Sequence, residues 1–122
     1  MGDMRLGMVE AHFADIVWHN APLTTKELVE LCSKPPLNWK RTTTYTVLKK
    51  LCLRGIFEMQ DGTVTVKITK EQFRSIQSDQ FVEENFSGSL PAFIAAFTSG
   101  KKLNSEELAE IRQLLDTYED KK

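Results

Sequence analysis

Between Trp39 and Arg54 the chain sets short hydroxyls and cations at helical spacing: Thr42, Thr43 and Thr46, then Lys49 and Lys50, with Lys40, Arg41 and Tyr45 among them. A threonine hydroxyl can donate to or accept from a base edge, and its methyl packs on the thymine methyl. Lysine and arginine grip phosphate oxygens, and an arginine near the helix start can also span the two acceptors of guanine. At roughly 100° per residue, turning Thr44, Val47, Leu48, Leu51 and Cys52 inward leaves these polar groups on the opposite side of a single helix. Three threonines in a row are poor filler for a helix surface without a task, because β-branching lowers helix propensity. The pattern reads as recognition of double-stranded DNA, with the threonines aimed at bases and the cations at phosphate. Trp39 is placed either to pack where the helix starts or to offer its indole N–H to a phosphate, and Tyr45 to bond a phosphate from the flank.

The charge distribution agrees, although the formal net charge over 122 residues is only -1. Through residue 70 there are ten Lys and Arg against seven Asp and Glu, and thereafter six against ten. From Lys34 to Arg54 six cations stand without one acid. Net charge bears on association, but its local distribution is what a polyanion meets. Other chemistry finds no constellation. His12 and His19 are isolated, Cys32 and Cys52 have no CxxC spacing and sit at positions a helix would bury, and paired carboxylates, a Ser/His/Asp order and a Gly-rich phosphate loop are absent from the sequence. No enzyme, cofactor or metal site is expected.

The elements that must hold the polar helix follow from periodicity and punctuation. Leu6, Val9, Phe13, Ile16 and Val17 predict a first helix from about residue 6 to 19, ended by Asn20-Ala21-Pro22. Thr24 or Thr25 caps a second helix with Glu27 in its first turn and Leu28, Leu31 and Cys32 inward, and Pro35-Pro36 stops it. The third helix follows Leu37-Asn38-Trp39 and closes at Gly55. Two β-rich runs, 56–60 and 63–68, flank Asp61-Gly62, the pair favoured in tight hairpins. Three helices and a hairpin, in that order, make a winged helix-turn-helix. The hairpin carries Asp61 at its turn, so a wing contact with phosphate would rest on Lys67 or on backbone amides.

Beyond Thr69 helices are expected over 70–84, 90–98 and 105–118, the last opened by an Asn104–Glu107 capping pair. Five of seven phenylalanines fall after residue 70. Three short helices bearing Phe81, Phe86, Leu90, Phe93, Ile94, Phe97, Leu108, Ile111, Leu114 and Leu115 carry much apolar surface for so small a unit; a second copy would cover it, the alternative being that they fold back on the winged helix as one monomeric core. The expected fold is therefore mainly α with a small β-hairpin: a winged-helix DNA-binding domain over 1–69 and a helical dimerisation domain over 70–122. No run approaches the roughly 20 apolar residues of a membrane span. The start Met1-Gly2-Asp3-Met4-Arg5-Leu6 resembles neither a signal peptide nor, with Leu6, a myristoylation motif, so a cytoplasmic location is expected.

Trp39-x-x-x-Thr43-x-x-Thr46-x-Leu48-x-Lys50-Leu51-x-x-x-Gly55, followed by Phe86-x-Gly88-Ser89-Leu90, Leu103-Asn104-Ser105-Glu106-Glu107-Leu108 and Ile111-Arg112-x-Leu114-Leu115, resembles the penicillinase and methicillin-resistance repressor family in order along nearly the whole chain. The resemblance implies a homodimeric transcriptional repressor on palindromic TACA/TGTA-type operators. It also implies release by proteolysis at an Asn-Phe bond after a membrane sensor detects a β-lactam, and Asn85-Phe86 stands at about that place. As a statement about residues, Asn85-Phe86 reads as a helix end with a core phenylalanine. Copper-responsive relatives end in a cysteine cluster, which residues 116–122 do not carry. The competing expectation is a winged helix whose polar helix face binds a protein partner instead of DNA.

Overall fold

The computed structural model describes residues 5–120; residues 1–4, on which most of the amino-terminal reading rested, and residues 121–122 lie outside the described residues. Two compact units divide the chain, Met1–Gln80 and Phe81–Lys122. The first unit contains helix α1 (Met8–Asn20), strand β1 (Leu23–Thr24), helices α2 (Thr25–Cys32) and α3 (Arg41–Leu53), strands β2 (Phe57–Gln60) and β3 (Thr63–Val66), and the first turns of helix α4 (Lys70–Phe86). Phe73, on α4, is buried in the core of this unit together with Phe13, Leu28, Leu48 and Phe57. The unit thus runs through Gln80, eleven residues past Thr69.

The start of α2 and the end of α3 are built by the chemistry their sequence announces. At α2 the Glu27 backbone N–H donates to Thr24 Oγ1 at 3.1 Å while Glu27 Oε1 accepts from the Thr24 N–H at 3.1 Å, a reciprocal capping box. At the end of α3, Gly55 takes φ +81°, its N–H donates to Cys52 O at 3.0 Å, and Ile56 N–H donates to Leu51 O at 3.1 Å. That pair of bonds is the Schellman arrangement, and buried Leu51 and Ile56 supply its apolar contact. The expected inward face of α1 holds for Phe13, Val17 and, half-buried, Ile16. Val9 is instead 54% exposed. It lies in the first turn of α1, one residue before Glu10, which bonds the ammonium of Lys50.

The hairpin forms as its turn residues require, with Asp61 at φ 53° and Gly62 at φ 74°, both left-handed as a two-residue type I′ turn demands. A third strand was not legible in the sequence. β1 pairs antiparallel with β3 through Leu23↔Val64 and Thr24↔Thr63, so the sheet order is β1-β3-β2. Two residues give no alternation to recognise, and only the partner reveals them as a strand. The Thr25 N–H then donates to Gly62 O at 2.9 Å, tying the wing turn to the start of α2.

Trp18 joins three elements of this unit. Its ring centroid lies 5.5 Å from those of Phe57 and Phe73, and its indole N–H donates to Ile68 O at 2.9 Å. The polar end of the largest side chain is thereby satisfied while its body fills the space between α1, the hairpin and α4.

The second unit consists of the end of α4, helix α5 (Leu90–Ser99) and helix α6 (Ser105–Asp120). Ser89 Oγ accepts from the Ala92 N–H at 3.1 Å at the start of α5, and the expected Asn104–Glu107 pair opens α6 with a Glu107 N–H to Asn104 Oδ1 bond of 2.8 Å. Phe81, Phe86 and Phe93 form a ring cluster with centroids 5.5–6.1 Å apart, extended by Phe97 at 6.2 Å from Phe93. No residue of α5 is fully buried.

Leu48 is 1% exposed and holds α3 to the core. Leu48→Ala is expected to destabilise the first unit by about 2–5 kcal/mol, read as a lowered urea midpoint. A loss below about 1 kcal/mol would mean that α3 is not anchored by this face.

Candidate nucleic-acid interface

The rotation of α3 is set by what it buries. Thr44, Leu48 and Leu51 face the core, and Thr44 stays satisfied there, its hydroxyl donating to Lys40 O at 3.3 Å and lying against the Cys32 thiol. Val47 and Cys52, expected inward, are half-buried at the margins of that face. Thr42, Thr43, Thr46, Lys49 and Lys50 are consequently exposed on the outer side. The Thr46 hydroxyl donates to Thr42 O at 2.9 Å, which leaves its oxygen free to accept and its methyl outward.

The start of α3 is open to an anion. Lys40 stands at the N-cap without a side-chain cap bond, and the first turn holds no acid. The unpaired N–H groups of a helix start, with Lys40 and Arg41 beside them, favour negative charge. Trp39 does the first of its two possible jobs: its ring stacks on Phe13 at 5.5 Å and 29°, fixing the segment that leads into α3. Tyr45 is half-buried, with the Arg41 guanidinium 5.5 Å over its ring. A hydrogen bond with Thr25, and then the Arg41 charge, hold its phenol below the ordinary range.

Tyr45, Arg41, Thr25, Lys26 and Val29 line a cleft of ≈ 230 Å³ between the starts of α2 and α3. Thr25 and Lys26 were missed by the sequence reading. Their signal was the position just inside a capped helix start, and only the packing of α2 beside α3 shows that they share a surface with Arg41. Lys67 is exposed at the base of the hairpin, its N–H donating to Ile56 O at 3.0 Å, while the turn itself presents Asp61. Among the described residues Lys50 differs from Lys49 in having a partner, since its ammonium lies 2.8 Å from Glu10 Oε2.

Neither cysteine has the setting of a reactive thiol. Both are free; burial pushes Cys32 up to about 11, and burial, then the nearby Glu58 charge, pushes Cys52 up as well. Among the described residues there is no group of three His, Cys, Asp or Glu able to hold a metal ion, and no helix is long and apolar enough to cross a membrane.

In the second unit the apolar residues expected to serve assembly separate into two sets. Phe81, Phe86 and Phe93 contact one another inside the unit. Leu90, Ile94 and Phe97 on α5, and Leu108, Ile111, Leu114 and Leu115 on α6, remain exposed. Asn85 is exposed in the last turn of α4, its side-chain amide donating to Phe81 O at 2.9 Å, and Phe86 is half-buried in the ring cluster. The helix end with a clustered phenylalanine is therefore present.

Comparison with known proteins fits this arrangement. The chain is 24% identical over 117 residues to the penicillinase repressor of Bacillus licheniformis, an alignment covering 93% of this chain and 91% of that protein. Residues 6–117 match the penicillinase repressor family, so the chain belongs to that family of DNA-binding transcriptional repressors, whose role is regulatory.

Proposed function

We propose that the protein represses transcription as a homodimer, each copy laying α3 in the major groove of one half of a palindromic operator of the TACA/TGTA kind. The observation that carries this reading is the outer face of α3, where exposed hydroxyls are followed by cations without an acid in the helix, rigidly rotated outward by buried Thr44, Leu48 and Leu51. In a helix-turn-helix the second helix of the motif meets base edges with its N-terminal residues. Thr42, Thr43 and Thr46 occupy that position here. Arg41 lies beside them at the helix start, while Lys40, Lys49 and the Lys26 cleft flank them as phosphate anchors. The wing is a minor contributor, since its turn is acidic and its cation Lys67 sits at the base.

Two copies are required on physical grounds. On α6, Leu108, Ile111, Leu115 and Tyr118 recur at spacings of three and four, and on α5 Leu90, Ile94 and Phe97 do the same, giving two apolar stripes that water would otherwise cover. A stripe of this kind is self-complementary, and a twofold axis through it presents two recognition helices to a symmetric site. Release follows from cutting the chain between Asn85 and Phe86, which severs the DNA-binding unit from the assembly helices. A regulatory protease answering to a membrane sensor is the partner this reading assigns.

Footprinting on DNA upstream of its own gene should show a symmetric protected site. Thr43→Ala and Thr46→Ala are expected to cost about 1–3 kcal/mol on that site and little on random sequence. Lys49→Ala should weaken both and flatten the salt dependence by about 0.9 in the log-log slope. Equal losses on both DNAs for all these variants would remove the division of labour, and no binding even at low salt would favour a protein-interaction module.

Leu115 is 60% exposed, so Leu115→Asp tests assembly without disturbing the ring cluster that Phe93→Asp would break. Sedimentation should show folded monomers with weakened operator binding; a surviving dimer would place the interface elsewhere. Intact protein throughout induction, with repression nevertheless lifted, would exclude cleavage at Asn85-Phe86.

A further inference from the structure

The cations of α3 do not all have the same freedom. Lys50 falls on the stripe of Thr43 and Thr46, at spacings of seven and four, and so stands among the groups proposed to face DNA. Its ammonium nevertheless lies 2.8 Å from Glu10 Oε2. The other carboxylate oxygen, Oε1, accepts the Gly7 backbone N–H at 3.2 Å, so the carboxylate is tethered to the start of α1 and cannot follow Lys50 outward. One turn further along, Arg54 Nη1 donates to Arg5 O at 3.0 Å. Both cations at the C-terminal end of α3 are thus drawn toward the segment that opens α1, whereas Thr42, Thr43, Thr46 and Lys49 have no acid bonded to them among the described residues.

We propose that Glu10 is a positioning residue that withholds Lys50 from phosphate, an internal carboxylate competing with the DNA backbone for this one ammonium. The proposal rests on the reading of α3 as the recognition helix. Phosphate contact is the part of binding that carries no sequence information, so each cation withheld lowers affinity for random DNA more than it lowers discrimination. Lys50 is 53% exposed at its side chain and Glu10 20%, so the pair is wet enough to exchange and the ammonium can reach outward once the carboxylate is neutralised. Glu10 in this way lets the threonine stripe act with fewer non-specific contacts than the cation count of α3 suggests. The lowered proton affinity of Glu10, caused first by Lys50 and then also by the Gly7 N–H against a partial opposing effect of burial, keeps the competitor charged.

The test measures binding of the full-length protein to a random-sequence duplex by fluorescence anisotropy over a range of salt, for Glu10→Gln, Lys50→Gln, Lys49→Gln and the Glu10→Gln/Lys50→Gln double variant. Glu10→Gln is expected to bind several-fold more tightly at low salt, with a log-log slope steeper by about 0.9, the mark of one further phosphate contact. Lys50→Gln alone should leave the slope unchanged, Lys49→Gln should flatten it, and the double variant should return to the native slope. A merely structural ion pair would instead shift thermal melting in both single variants and move neither slope. Should Glu10→Gln fail to fold, Lys50→Gln decides by itself: a slope flattened as much as by Lys49→Gln overturns the proposal. Failure of every variant and of the native protein to bind any duplex would overturn the recognition-helix reading as well. Binding with unchanged slopes overturns the role of Glu10 alone.

Discussion

Burial of Thr44, Leu48 and Leu51 is the constraint on which the rest of the first unit depends, because a helix that hides one face has no choice about the other. Each fully buried aliphatic side chain contributes about 1.5–3 kcal/mol relative to exposure, so Leu48 and Leu51 together outweigh the roughly 2 kcal/mol that three exposed threonines cost in helix propensity. Core packing therefore overrides helix propensity and fixes the rotation of α3. The two ends are held separately, by Trp39 stacked on Phe13 before the helix and by the Gly55 closure after it. A helix so clamped presents its outer hydroxyls without further ordering, and a ligand meeting them would lose less binding free energy to immobilising them.

Electrostatics then differentiates a surface that shape alone leaves uniform. The cations from Lys34 to Arg54 would form an undiscriminating patch if all were equally available. Contacts assign them instead: Arg41 over the Tyr45 ring within α3 itself, and, from elsewhere in the chain, Lys50 to the carboxylate of Glu10 and Arg54 to the Arg5 carbonyl. The hairpin is similarly tied down, since its turn carbonyl at Gly62 accepts from Thr25 at the start of α2. The hairpin, with an acid at its turn, is in this way part of the packing of the unit.

The second unit faces the opposite problem, too much apolar surface for too little chain. Its ring cluster brings Phe81, Phe86 and Phe93 together, yet Phe81 stays 49% exposed and α5 and α6 keep two apolar stripes outside. Units of this size bury a small fraction of their surface, and association is the usual remedy. The Asn85-Phe86 bond lies within this second unit, in the last turn of α4 and ahead of the helices that carry those stripes.

Much of this was determined by the sequence alone, wherever the cause is local. Capping pairs such as Thr24 with Glu27 and Asn104 with Glu107, the Asp61-Gly62 turn and the Gly55 closure act over three or four residues, and each forms as its residue types require. The buried face of α3, and with it the identity of the outward threonines, follows from period alone. What the tertiary structure decided rests on partners distant in the chain. β1 exists as a strand only because β3 lies beside it, and Glu10 on α1 finds its ion-pair partner on α3. Lys26 joins the cleft of Arg41 by the packing of two helices. The stretch from Trp39 to Arg54 could be read as basic and free of acids from its letters, but an acid forty positions away sits on one of its lysines. Charge along a sequence counts neighbours in the chain, whereas the field at a binding face is set by neighbours in space.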